Sequence, residues 1–200
     1  MKQLHRPDLF GWAGYDTARD VDFNGVAWVR PGGNVLIDPM PMSEHHLAHL
    51  DRLGGAAWIV ITNSDHTREA QALAQRYGAK LAGPAAERES FPFACDVWLS
   101  DGDTLVDGLV ALALHGSKTP GELALVLEGR TLITGDLVRA HRAGSLMLLP
   151  DAKLTDRAAA IASLRRLAAL DVDAVLVGDG WPVFRQGSVL LRELAGSVGA

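Results

Sequence analysis

The chain has 200 residues, of which 48% are hydrophobic and 22% are charged, and its formal net charge is −5. This length fits one domain, and an acidic chain with scattered Lys and Arg does not favour a nucleic-acid-binding surface. The single cysteine, Cys95, excludes an intramolecular disulfide framework and a cysteine-rich zinc site. No apolar run approaches the ~18 residues of a membrane span, and no signal-peptide core stands at the N-terminus. We therefore expect one cytoplasmic domain over residues 1–200, with neither a nucleic acid nor a membrane as partner.

The first third of the chain shows strand patterns followed by a helix. Residues 1–21 are expected to be irregular. Two short apolar runs, 24–29 and 34–37, flank a Pro-Gly-Gly turn and predict a hairpin. Ser43 is a good start for a helix with leucines at helical spacing, and Gly54-Gly55 is a good end for it.

The stretch 57–69 is the most informative part of the sequence. Residues 57–61 are apolar without polar alternation, which is typical of a strand buried on both faces. A polar turn follows, and then a helical pattern from about Thr67 to Tyr77. This arrangement places Asp65 and His66, which are both metal ligands and acid–base groups, at the edge of a sheet. The alternative is that Ser64 or Asp65 only caps the helix.

The remaining two thirds alternate between strands and helices. Helices are predicted over about 155–170 and from 181 to 195, and a loop carries His141. Short strands are predicted at 79–82, 97–99, 109–115, 123–127, 131–133 and 174–177. Neither a glycine-rich nucleotide-binding motif nor a GxSxG nucleophile motif occurs, so these two chemistries are not indicated.

Three carboxylates follow predicted strands at the points where the strands end. Asp65 follows the strand at 57–61, Asp136 follows the strand at 131–133, and Asp179 follows the last strand. Loops that converge on one sheet edge build sites, and clustered carboxylates repel one another unless a cation lies among them. The sequence offers two cations for this role, a metal ion or Lys118 from the loop at 116–122.

These motifs resemble those of the metallo-β-lactamase fold superfamily, in order and over most of the chain. The matching segments are Thr62–His66, Ser117–Glu122, Thr134-Gly135-Asp136 and Gly178-Asp179-Gly180. The resemblance implies an α+β fold, a four-layer αββα sandwich with two mixed sheets face to face and helices outside. The motifs depart from the family pattern because several of its histidines are replaced, with Lys118 and Asp179 standing at two of their positions.

The resemblance implies at most a mononuclear metal site formed by Asp65, His66, Asp136 and Asp179. Three carboxylates and one imidazole favour Mn²⁺, Fe²⁺ or Mg²⁺ over Zn²⁺ as the single divalent ion. The other interpretation is that Lys118 pairs with Asp136 and makes a metal unnecessary.

Two functional hypotheses follow. The first is a metal-dependent hydrolase of small-molecule esters, thioesters or lactones, with catalytic roles for Asp65, His66 and Lys118, the last stabilising an oxyanion. The alternative is a catalytically inactive or metal-free binding or scaffold protein in which Lys118 replaces the metal charge. A weaker third idea uses His66 as a base without metal, oriented by Asp65 or Asp179. His141 is either a proton carrier or a surface histidine.

The five tryptophans are more than one small core needs, and an interface of a homodimer would account for the excess.

Overall fold

A computed structural model describes residues 1–198, which form two large sheets, a two-stranded hairpin and four α-helices. The helices are α1 (Glu44–Arg52), α2 (Ala70–Tyr77), α3 (Arg157–Ala168) and α4 (Gly187–Ser197). The strands are β1 (Lys2–Gln3), β2 (Leu9–Asp16), β3 (Val21–Trp28), β4 (Val35–Ile37), β5 (Trp58–Val60), β6 (Lys80–Pro84), β7 (Val97–Leu99), β8 (Thr104–Val106), β9 (Leu109–Leu114), β10 (Glu122–Leu127), β11 (Thr131–Thr134), β12 (Val138–Arg142), β13 (Ser145–Leu148) and β14 (Ala174–Val177). Short 3₁₀ helices lie at Ser64–His66, Ala85–Glu87 and Asp151–Lys153.

Both large sheets are mixed. The seven-stranded sheet has the order β1 to β7, with antiparallel pairing up to β4 and parallel pairing from β4 to β7. The five-stranded sheet has the order β14-β11-β10-β9-β8, and only β11 and β14 run parallel. Parallel strands end at the same edge, so the residues after β4 and β5 are neighbours, as are those after β11 and β14.

The layers are those of an αββα sandwich. The central core joins the inner faces of both sheets, with Val26, Ile37 and Val60 from one and Leu125 and Leu176 from the other. Helices α1 and α2 pack outside the first sheet, and α3 and α4 pack outside the second. The predicted fold class is therefore confirmed, because apolar strands buried on both faces require helices on their outer sides. Among residues 1–198 no helix is long and apolar enough to cross a bilayer.

Three local predictions were wrong. Residues 1–21 are not irregular, because β2 pairs along its whole length with β3 and carries Trp12 into a core. The segment around His141 is the hairpin β12–β13 and not a loop. Helix α4 begins at Gly187 and not at Trp181, since Val183 first pairs with Val175.

Candidate active site

The predicted site residues meet at one cavity on the carboxyl edge of the sheets. Its volume is about 690 Å³, and its walls include all five: Asp65, His66, Lys118, Asp136 and Asp179. The loops that carry them are short. Asp136 lies two residues after β11 and Asp179 two residues after β14, so the parallel pair delivers both carboxylates to the same edge.

Lys118 joins two of the carboxylates. Its Nζ atom lies 2.8 Å from Asp65 Oδ2 and 3.1 Å from Asp136 Oδ2. Burial opposes the charge of the ammonium, but Asp136 and Asp65 outweigh burial and raise the pKa of Lys118 above its ordinary value. Burial likewise opposes the charge of Asp136, yet His66 and Lys118 hold its pKa well below the usual range. The pair is therefore ionised at neutral pH.

His66 is buried between two carboxylates. Its Nδ1 atom lies 2.8 Å from Asp38 Oδ2 and its Nε2 atom 3.5 Å from Asp136 Oδ2. Burial would lower the pKa of His66, but the charges of Asp38 and Asp136 raise it to about 9. At neutral pH the ring is an imidazolium and cannot accept a proton. Asp38 and Asp136 lie beside the ring, so the orienting partners expected from the sequence, Asp65 or Asp179, are corrected, while a catalytic role of His66 stays a prediction.

Two side chains of strand β12 contact the Asp179 carboxylate. Its Oδ2 atom accepts a hydrogen bond from the buried guanidinium of Arg139 and lies 3.0 Å from His141 Nε2. Its Oδ1 atom is buried without a hydrogen-bond partner among residues 1–198. His141 is thus a cavity-wall residue paired with a carboxylate, and not a free surface histidine.

A further buried carboxylate, that of Glu122, fixes the loops beneath the site. Glu122 Oε1 accepts hydrogen bonds from the backbone N–H groups of Asp136 and Leu137, both at 2.9 Å, and Ser117 Oγ donates to its Oε2 at 2.5 Å. Burial, followed by the negative charge of Asp136, raises the pKa of Glu122 to about 7. Glu122 positions the segment that carries Asp136 relative to the one that carries Lys118.

The turn after β5 is capped differently from the sequence expectation. Neither Ser64 nor Asp65 caps α2; Asn63 Oδ1 accepts from the backbone N–H of Asp65 at 3.0 Å and caps the 3₁₀ helix. The Asn63 amide also donates to Asp136 Oδ2 at 2.9 Å. This leaves the Asp65 carboxylate available for its contact with Lys118.

The residues present do not fit a divalent metal ion. Within residues 1–198 no group of three His, Cys, Asp or Glu side chains is arranged to hold one. The four predicted ligands share the cavity, but Lys118 lies between Asp65 and Asp136, and Arg139 is bound to Asp179. These contacts use the Oδ2 atom of each of the three carboxylates, and the cations that make them would repel a metal ion. The metal role of the four residues stays a prediction.

Sequence reasoning missed three residues of the site. Asp38 directly follows β4, so the rule that selected Asp65, Asp136 and Asp179 would also have found it. Arg139 lies in a segment that was expected to be a loop, because the β12 hairpin was not predicted. Arg68 carried no signal, since its place in the cavity wall depends on an unusual backbone φ of 36°.

A family model described as metallo-beta-lactamase superfamily matches residues 1–198. The chain belongs to this superfamily, as its strand-end motifs and αββα layers indicate. A curated hydroxyacylglutathione hydrolase from Rhodobacter capsulatus is 32% identical over 169 residues, which cover 82% of this chain and 58% of that protein. The match thus spans little more than half of the relative's length.

Solved structures support the fold alone, because their identities are low. A metallo-beta-lactamase from Pontibacter korlensis superposes with a TM-score of 0.74 at 19% identity, covering 97% of this chain and 96% of that one. The metallo-beta-lactamase FIM-1 from Pseudomonas aeruginosa, solved in a mono-zinc form, gives a TM-score of 0.67 at 16% identity over 94% and 90% of the two chains. Metal binding is thus found among proteins of this fold.

Proposed function

We propose that this protein is a hydrolase of small molecules that works without a metal ion, with Lys118 supplying positive charge. The observation that carries the proposal is the contact of Lys118 Nζ with both Asp65 and Asp136. An ammonium group in this position balances the carboxylates and still faces the cavity. The superfamily and the curated relative named as a hydrolase support hydrolysis as the class of reaction.

His141, in the cavity wall, is the base of the proposed reaction. With Asp179 accepting at Nε2, the Nδ1 atom of His141 keeps its lone pair and takes a proton from water. The water oxygen bonds to the acyl carbon of an ester, thioester or lactone, and Lys118 stabilises the resulting oxyanion. The bond to the leaving group then breaks, and the proton on His141 passes to that group. An acid and an alcohol or thiol are formed.

The test is a panel of ester, thioester and lactone substrates assayed with and without a chelator. We expect turnover that the chelator does not change, and a loss of at least a hundredfold in kcat for both Lys118→Met and His141→Gln. Asp171→Asn, an exposed carboxylate outside the cavity, serves as the matched control. Turnover that appears only with added metal would contradict the proposal.

A second candidate is a binding protein without catalysis. It is favoured by the raised pKa of His66 and of Lys118, because both side chains then stay protonated and neither serves as a base. If no substrate of the panel is turned over and the protein still binds a ligand in this cavity, the binding protein is the correct candidate.

A further inference from the structure

The cavity is positively charged although the chain is acidic. Five Arg and Lys side chains line it against three Asp side chains, while the whole chain has a net charge of −5. A cleft lined by one sign of charge attracts ligands of the opposite sign. Its volume of about 690 Å³ suits a small organic molecule.

Arg68 is a partly buried cation of this wall, and it has no carboxylate partner among residues 1–198. Its Nη1 atom donates to the backbone oxygens of Asn24 and Asp38, at 2.8 and 2.9 Å. Its guanidinium carbon lies 5.5 Å from the centre of the Phe23 ring, which supports one side of the group. Within the described chain, no carboxylate lies within ion-pair distance, and its other N–H groups make no hydrogen bond. The Arg68 guanidinium is therefore held in place through Nη1, and its other N–H groups remain available to a ligand.

Two further cations of the wall are exposed. Lys153 has no ion-pair partner among residues 1–198, and Arg19 pairs only with Asp16 at 3.3 Å, at a largely exposed position. A guanidinium with free N–H groups binds carboxylate or phosphate oxygens in pairs, and flanking ammonium or guanidinium groups add to the attraction.

We propose that this cavity binds a small organic anion and that Arg68 holds its oxyanion group, a carboxylate or a phosphate. The proposal rests on the proposed function for the identity of the cavity and extends it by the class of ligand. Lys153 and Arg19 attract the same anion from the exposed side. Ligand binding requires no turnover, so a failure of hydrolysis and a failure of anion binding are separate results.

The experiment is isothermal titration calorimetry of the full chain at constant ionic strength with three probes: succinate, inorganic phosphate and the neutral succinamide. We expect saturable binding of succinate or of phosphate and none of succinamide. Binding of succinate alone identifies a carboxylate ligand, and binding of phosphate alone a phosphate ligand. Arg68→Gln should weaken the binding at least tenfold, whereas Arg192→Gln on the exposed side of α4 should leave it unchanged.

The Arg68 side chain also binds backbone oxygens, so Arg68→Gln could fail to fold. Two other variants test the proposal in that case. Lys153→Gln and Arg19→Gln are exposed substitutions and should each weaken binding several-fold. The proposal is overturned if neither anion binds, if succinamide binds as tightly as succinate, or if a folded Arg68→Gln protein binds like the unchanged chain. If Arg68→Gln does not fold, unchanged binding in both Lys153→Gln and Arg19→Gln overturns it.

Discussion

The Nζ atom of Lys118 lies 3.1 Å from the Oδ2 atom of the buried Asp136. A protein cation thus stands beside the carboxylate for which the sequence predicted a metal ion. Asp136 also has His66 and Asn63 as neighbours, so its charge is stabilised from three directions without any group from outside the chain. The site depends on this arrangement of fixed charges, and the first three predictions below test it.

Removal of the ammonium should destabilise the fold. In Lys118→Met the Asp136 carboxylate loses one of its charged partners while it stays buried, which we expect to cost about 1–3 kcal/mol in the free energy of unfolding. Urea denaturation at pH 7 measures this. Lys80→Met, at an exposed position of β6, is the control. An unchanged midpoint in Lys118→Met would mean that the contact contributes nothing.

Stability should fall as the pH rises from about 7 to about 9. The pKa of His66 is raised from 6.5 to about 9 in the folded chain, so its contribution is fully present below pH 6.5 and is lost on the way to pH 9. A shift of this size corresponds to on the order of 3 kcal/mol. Urea denaturation at pH 7.5 and 9.5 should show the loss, and His66→Gln should reduce it. The pKa of Glu122 is lower, at about 7, so the change in stability between pH 7.5 and pH 9.5 comes largely from His66. Equal stability at both pH values would refute the imidazolium assignment.

Asp38 should control the protonation of His66. In Asp38→Asn an amide replaces the carboxylate that lies 2.8 Å from Nδ1, so the pKa of His66 should fall by at least one unit. NMR titration of the His66 ring protons measures this pKa, and Asp171→Asn should leave it unchanged. A His66 pKa near 9 in Asp38→Asn would show that Asp136 alone sets it.

The close packing of the strand-end loops gives a prediction about glycine. A Cβ atom at Gly178 would lie 2.7 Å from the Gly135 carbonyl oxygen and 2.9 Å from His66 Cε1. We therefore expect Gly178→Ala to lower the free energy of unfolding by about 1–3 kcal/mol. Gly196→Ala in α4 meets no atom within 4 Å and should raise stability by about 0.5–1 kcal/mol. Thermal unfolding of both variants checks the opposite signs; a neutral Gly178→Ala would contradict the packing.

Much of the fold was predictable from the sequence because buried parallel strands leave an unbroken apolar signal. β5 and β14 have it, and their following carboxylates were found for that reason. β2 and the β12 hairpin lack it, since they mix Gly or charged residues with apolar ones, and their pairing depends on distant partners. Arg68 was missed because its backbone φ is positive, at 36°, and its side-chain direction follows from tertiary contacts. Asp38 follows the apolar strand β4 and could have been found by the rule that selected the other carboxylates.

Three further expectations from the sequence also stay predictions. The cytoplasmic location, the single-domain organisation over residues 1–200 and the homodimer each await a direct measurement. For the homodimer the structure offers one exposed tryptophan, Trp181, on the described surface, while Trp12 and Trp28 are buried. Sedimentation at several concentrations would decide the oligomeric state.

The most direct test of the central claim is the metal content of the protein. Elemental analysis follows purification without chelator and, in a second sample, incubation with excess Zn²⁺, Mn²⁺ and Fe²⁺ and removal of the unbound ions. If Lys118 supplies the charge, we expect well below one equivalent of any of these metals in both samples. One equivalent of tightly bound metal that is lost in Asp136→Ala would contradict the account and restore the mononuclear site of Asp65, His66, Asp136 and Asp179.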